Sequence, residues 1–251
     1  MSEERIYPTI SNLESYLDKS PEHRIRYELA CDFVKGLNCA DIACGVGYGS
    51  HLLGKIAKSV QGYDLSDEAL IHARKNFLSK NVTFYHADKF KNSKFETIIS
   101  LETIEHMDEE AGDKFLKNIN ENLQDKGLLV ISTDLNHTEL RHNVTPFHPR
   151  EYNFQEFRDK LENAGFYIKK WYGLSNIVSE RMTKNTFGFS IANVLHFGIH
   201  KIIPSSIRKY LSNIILGKNT ENSVSSIKLV EDNLAGCFCQ IAICTKTYKS
   251  K

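Results

Sequence analysis

A short apolar run, Cys39–Ala43, leads straight into a turn that carries glycine at alternate positions, Gly45-Val46-Gly47-Tyr48-Gly49. No other feature of the chain narrows its fold as much. A strand that ends in glycines and continues into a helix, here Ser50 to about Lys58, opens a βαβ unit. Glycine lets the backbone turn sharply there and lets a ligand come close. The alternation continues downstream. Val60–Asp64 reads as a strand, and Ser66-Asp67-Glu68 caps a helix ending near Leu78. Further strands are expected at Val82–Tyr85, Phe95–Ser100, Gly127–Ser132 and Phe166–Tyr172, with helices over Asp113–Leu123 and Phe154–Ala164. Ahead of the turn, Ser20-Pro21-Glu22 marks a helix start, with apolar residues at Ile25, Leu29, Phe33 and Val34. The expected fold class is α/β: a doubly wound, mostly parallel seven-stranded sheet with helices on both faces and a helical insertion before the last strand.

That insertion is where the pattern breaks. Leu174 to Leu216 is apolar helical material, Lys218–Lys228 has a linker's composition, and a final strand is expected at Cys237–Cys244. The chain then divides into a core with an N-terminal helical cap (1–173), an insertion and linker (174–234), and a returning strand with a basic tail (235–251). Roughly sixty residues between two neighbouring strands is far more than a hairpin needs, so the insertion is expected to serve a purpose. Its stripe, Phe189, Val194, Leu195, Ile199, Ile202 and Ile203 beside His196, His200, Lys201, Arg208 and Lys209, has three readings: a lid, a homodimer contact, or a peripheral membrane contact through 189–211.

Bulk properties exclude several classes. With 251 residues, 32 Lys and Arg against 31 Asp and Glu, and a net charge of +1, there is no global positive field to attract nucleic acid. Cys31, Cys39, Cys44, Cys237, Cys239 and Cys244 sit in apolar segments without zinc spacing. They read as small buried hydrophobes of a reducing compartment. The start MSEERIYPTI is not a signal peptide, and no run is long enough to span a bilayer. A cytoplasmic protein is expected, with attachment at the inner membrane if the insertion touches lipid.

Two acids extend the glycine turn into a binding site. Asp64 ends the second strand 19 residues after Gly45, where a carboxylate can accept hydrogen bonds from ribose hydroxyls. Asp88 follows the third strand, within reach of an adenine amino group. Acids at successive strand ends on one side of a sheet point to a nucleoside ligand. Ala40-Asp41-Ile42-Ala43-Cys44-Gly45-Val46-Gly47-Tyr48-Gly49 resembles motif I of class I S-adenosylmethionine-dependent methyltransferases. Gly62–Ser66, Phe95–Met107 and Gly127–Thr133 are similar to later motifs of that family. The resemblance covers about residues 20–175 and the final strand. It implies S-adenosylmethionine as cofactor, contacted by Asp41, Ala43, Gly45, Gly47, Asp64, Leu65 and Asp88. The glycine spacing is one position short of the nicotinamide fingerprint.

Chemistry is expected at Ser100–His106. If that segment is helical, Glu102, Glu105 and His106 fall at i, i+3 and i+4 and share a face. Two carboxylates and an imidazole at one point invite a divalent metal. The E-x-x-E-H pattern with the later His148 resembles the magnesium site of small-RNA 2′-O-methyltransferases, which implies Glu102, Glu105, His106 and His148 as Mg2+ ligands. Two other readings stand beside it: His106 or His148 as general base with Glu102 in the catalytic set, or structural roles for both histidines. For the acceptor, Glu22-His23-Arg24-Ile25-Arg26-Tyr27, Pro146–Tyr152, Ala164-Gly165-Phe166 and Cys237–Lys246 resemble methyltransferases of bacterial surface-polysaccharide synthesis. That resemblance implies O-methylation of a sugar hydroxyl. A small-molecule acceptor such as a quinone precursor is the alternative enzyme, and a catalytically silent cofactor-binding subunit of a glycan-synthesis complex is the alternative from another class.

Overall fold

The computed structural model describes residues 7–91, 93–137, 149–176 and 227–247. Eight strands form one sheet: β1 (Asn38–Ile42), β2 (Ser59–Asp64), β3 (Val82–His86), β4 (Phe95–Ser100), β5 (Leu123–Asp134), β6 (Phe166–Asn176), β7 (Ile227–Glu231) and β8 (Cys237–Lys246). Their order across the sheet is β3-β2-β1-β4-β5-β8-β6-β7. The β1–β2, β1–β4, β2–β3 and β4–β5 pairs are parallel, whereas β8 runs antiparallel to both β5 and β6. Strand order therefore reverses between β1 and β4, the crevice where open α/β sheets hold their ligands.

Alternate residues of each strand face opposite layers. Cys39, Val130, Ile241 and Ile243 pack with helices α1 (Leu13–Lys19), α2 (Pro21–Cys31), α3 (Tyr48–Gly54) and α4 (Asp67–Phe77). Ala40, Ile42, Leu129, Ile131 and Ala242 pack with α5 (Glu109–Asn122) and α6 (Phe154–Asn163). Local signals set the helix ends. Ser66 Oγ accepts from Ala69 N at 3.2 Å to start α4, Asp108 Oδ1 accepts from Ala111 N at 2.8 Å to start α5, and Asn153 with Glu156 forms a capping box for α6. Helix α2 begins at Pro21 as expected, but the Ser20 side chain makes no capping bond.

The sheet corrects three expectations. It has eight strands rather than seven, because Ile227–Glu231, partly inside the expected linker, pairs beside β6. That edge strand carries no apolar alternation, and its position is marked by an ion pair of Lys170 Nζ with Glu231 at 2.7 Å and by Asp232 N donating to Trp171 O at 3.0 Å. Strand β6 continues through Asn176, so the first residues of the expected insertion are strand. The stretch after β4 is not an α-helix but a single 3₁₀ turn, Ile104–His106. Residues 177–226, with the 189–211 stripe, and His148 lie outside the described residues. All six cysteines are free, five of them buried, as small hydrophobes are. No helix among the described residues is long and apolar enough to cross a membrane.

Candidate active site

The glycine turn begins at Ala43, which already has φ +58°, and continues through Gly45 at +55° and Gly47 at +89°. Gly47 is packed from behind: a Cβ there would meet Ala73 Cβ at 2.7 Å and the Phe84 ring at 2.9 Å. Gly45 is the opposite case, since a Cβ there would meet nothing within 4 Å. One glycine lets the turn lie on α4 and β3, and the other leaves an open concave edge beside the strand ends. Asp64 closes the turn. Its Oδ2 accepts from Gly45 N and its Oδ1 from Ser66 N, both at 2.8 Å, so one nearly buried carboxylate clamps the ends of β1 and β2 together.

Asp41 lies beneath. Ser50 Oγ donates to its Oδ2 at 2.6 Å, while its Oδ1 is buried with no partner. Burial, with Asp64 adding to it, pushes the Asp41 carboxyl up to about 7. Leu65, which follows Asp64, is an apolar side chain left 76% exposed. Asp88 is exposed and pairs with His86 Nδ1 at 3.1 Å, which holds its carboxyl below the usual range. A nucleoside-bearing cofactor fits this set: an unfilled edge at Gly45, a buried unpartnered oxygen on Asp41, and acids at the ends of β2 and β3.

The acids after β4 are held by protein partners. Glu102 has φ +53°, and its carboxylate pairs with Arg26 at 3.2 Å and accepts from Ser132 Oγ at 2.7 Å. Glu105 is fully buried and accepts from Thr133 Oγ1 at 3.0 Å. Ser132 and Thr133 are consecutive on β5, so they present their hydroxyls to opposite faces of the sheet. The two acids therefore anchor on different sides, not on one helical face. Burial and the neighbouring Glu102 push the Glu105 carboxyl well up. His106 ends the 3₁₀ turn with its side chain exposed. Among the described residues no three His, Cys, Asp or Glu groups converge on a metal position. The physical reason is local: the left-handed residue at Glu102 breaks the helix that would have aligned Glu102, Glu105 and His106.

Sequence reasoning missed the groups that hold Glu102. Cys239 was expected only as a small hydrophobe, yet its thiol lies 3.5 Å from Glu102 Oε1 and 3.9 Å from the Arg26 guanidinium. Arg26 itself was part of a resemblance without a role. The signal was present: Arg26 precedes Leu29 and Ala30 by three and four residues, which puts a charged group on the inward face of α2.

A family model described as a methyltransferase domain matches residues 10–170. A probable S-adenosylmethionine-dependent methyltransferase of Mycolicibacterium smegmatis is 26% identical over 159 residues, covering 61% of this chain and 60% of the relative. The ubiquinone biosynthesis O-methyltransferase of Pelagibacter ubique is 32% identical over 105 residues, 40% of this chain and 43% of that protein. The chain thus spans about three-fifths of the length of the first relative and less than half of the second. Among solved structures, a SAM-dependent methyltransferase from Archaeoglobus fulgidus superposes with a TM-score of 0.56 at 17% identity, over 91% of this chain and 94% of that one, a likeness of fold. The glycine turn, the acid that clamps it and the reversal of strand order beside it all fall inside the stretch that the family model matches, and the chain belongs to the methyltransferase domain family.

Proposed function

We propose that the chain is an O-methyltransferase that uses S-adenosylmethionine and acts on a sugar hydroxyl, of a nucleotide sugar or a growing surface glycan. The observation that carries the cofactor half is the Gly45 edge clamped by Asp64 at the strand-order reversal. S-adenosylmethionine brings a methyl group already activated by its sulfonium. The chain's own contribution is then to orient the acceptor and to take the hydroxyl proton. Asp64 and Leu65, at the end of β2, are assigned to the nucleoside, and Glu102, just past the end of β4, to the acceptor. His106, exposed at the end of the 3₁₀ turn, is assigned the general base. Glu105 is fully buried and bonded to Thr133, so it is not assigned that role. The sugar acceptor is supported by the resemblances in Glu22–Tyr27, Ala164–Phe166 and Cys237–Lys246.

A quinone-precursor acceptor is the second reading, favoured by the 32% identity to the Pelagibacter ubique protein. Transfer of label from methyl-labelled S-adenosylmethionine into fractionated cell extract separates the two. Label in polysaccharide or nucleotide sugars supports the proposal, and label in small aromatic or lipid fractions favours the second reading. Cofactor binding with no transfer into any fraction would instead assign the chain a silent, cofactor-binding role.

A further inference from the structure

The segment Glu22–Tyr27 lies within α2. His23, Arg26 and Tyr27 stand at i, i+3 and i+4 on α2 and share one face. Each touches a different part of the site. His23 Nδ1 is 2.7 Å from the hydroxyl of Tyr48, the residue that starts α3 directly after Gly47. Burial and the nearby Arg26 push the His23 imidazole toward its neutral form, so this is a neutral hydrogen bond. The Tyr27 ring occupies the space that a side chain at Gly49 would need, with a Cβ there only 1.9 Å from the ring. Arg26 reaches across to Glu102 at the end of β4.

Glu102 needs that support. A residue other than glycine in the left-handed region costs about 1–2 kcal/mol, and it persists only where its surroundings fix it. Here the backbone N–H of Glu102 donates to Ser132 Oγ at 3.0 Å, and the same hydroxyl donates back to Oε1. The remaining charge is met by Arg26, which is 5% exposed. The buried Arg26 guanidinium depends on Glu102 for its counter-charge, while Glu102 keeps part of its side chain in solvent.

We propose that Arg26 is a positioning residue that acts through Glu102, and that His23, Arg26 and Tyr27 make α2 the element coupling the cofactor turn to the acid at the end of β4. The inference rests on the proposed cofactor, and one helix face then sets both halves of the pocket. Removing Arg26 frees Glu102 from its conformation and shifts the strand end against which the cofactor lies.

The test is S-adenosylhomocysteine binding, by titration calorimetry, to the full chain and to Arg26→Met, Arg26→Lys, Glu102→Gln and the Arg26→Met/Glu102→Gln double variant. Thermal melts of each verify folding. The double variant carries no unpaired buried charge, so it folds even where Arg26→Met alone does not. Arg26→Met is expected to weaken binding about tenfold, a coupling normal for residues sharing one ion-pair network. Arg26→Lys recovers part of the loss, and the double variant binds within about twofold of the weaker single one. Wild-type affinity in Arg26→Met overturns the proposal, as do losses in the two single variants that multiply in the double, since Arg26 would then act independently of Glu102. Absence of binding by the wild type is seen before any variant is made, and it refutes the proposed cofactor rather than the coupling.

Discussion

Asp41→Asn is the most informative single substitution in the candidate cofactor site. The Asp41 side chain is buried, has one oxygen bonded to Ser50 and the other unpartnered, and its carboxyl is raised from 3.8 to about 7. Between those values the folded chain holds a proton that the unfolded chain has released. Folding stability from this group is therefore complete below about pH 4 and is lost as pH rises through about 7. At about 1.4 kcal/mol per pH unit, the rise corresponds to about 4 kcal/mol of stability lost across the window. Asparagine has the same shape and can still accept the Ser50 hydrogen bond, but it never ionises. Urea denaturation of both proteins from pH 5 to pH 8.5 measures the difference directly. The variant is expected to gain on the wild type as pH rises, by a few kcal/mol over the range. Denaturation curves that keep a constant separation at every pH would refute the reasoning, because they would show that Asp41 ionises in the fold as freely as in the unfolded chain.

Four further outcomes are expected. Gly47→Ala places a methyl 2.7 Å from Ala73 Cβ in a left-handed backbone, and should cost about 2–4 kcal/mol in a thermal or denaturant melt. Asp64→Ala strips the acceptor from the Gly45 and Ser66 amides, and should weaken S-adenosylhomocysteine binding by about tenfold or more in a calorimetric titration. Glu105→Ala should cost about 2–3 kcal/mol by denaturation, and Glu105→Gln less, because glutamine keeps an acceptor for Thr133 and removes a carboxyl that burial pushes well up. Methyl transfer should persist in EDTA; loss of activity that magnesium restores would show that the acids after β4 take up a metal after all.

The parts of this fold that could be read from sequence are those where local chemistry and burial agree. Strand β1 and its glycines, Asp64 at the end of β2, and the capped start of α4 each carry their own signal within a few residues. Strand β7 does not, because an edge strand with one partner needs no apolar alternation. The geometry after β4 was misread for a different reason. Glu102, Glu105 and His106 have helical spacing, but tertiary bonds to Arg26 and Ser132 hold Glu102 left-handed and divide the acids between the two sheet faces. Arg26 and Cys239 come from opposite ends of the chain, so no window of sequence could have joined them.

The position of β8 has a consequence for how the chain is made. It is synthesised after β6 and β7 yet lies between β5 and β6, pairing Thr133 with Gln240 on one side and Gly173 with the same Gln240 on the other. While the chain emerges from the ribosome, β1–β5 can assemble as they appear. Strand β6, with only β7 beside it, must wait for its inner neighbour until residues 237–246 arrive. The nascent protein thus carries two open sheet margins, on β5 and on β6, that a single late strand zips together. A ribosome stalled before Cys237 would hold a half-built sheet with sticky edges, the state in which such a chain is most in need of a chaperone.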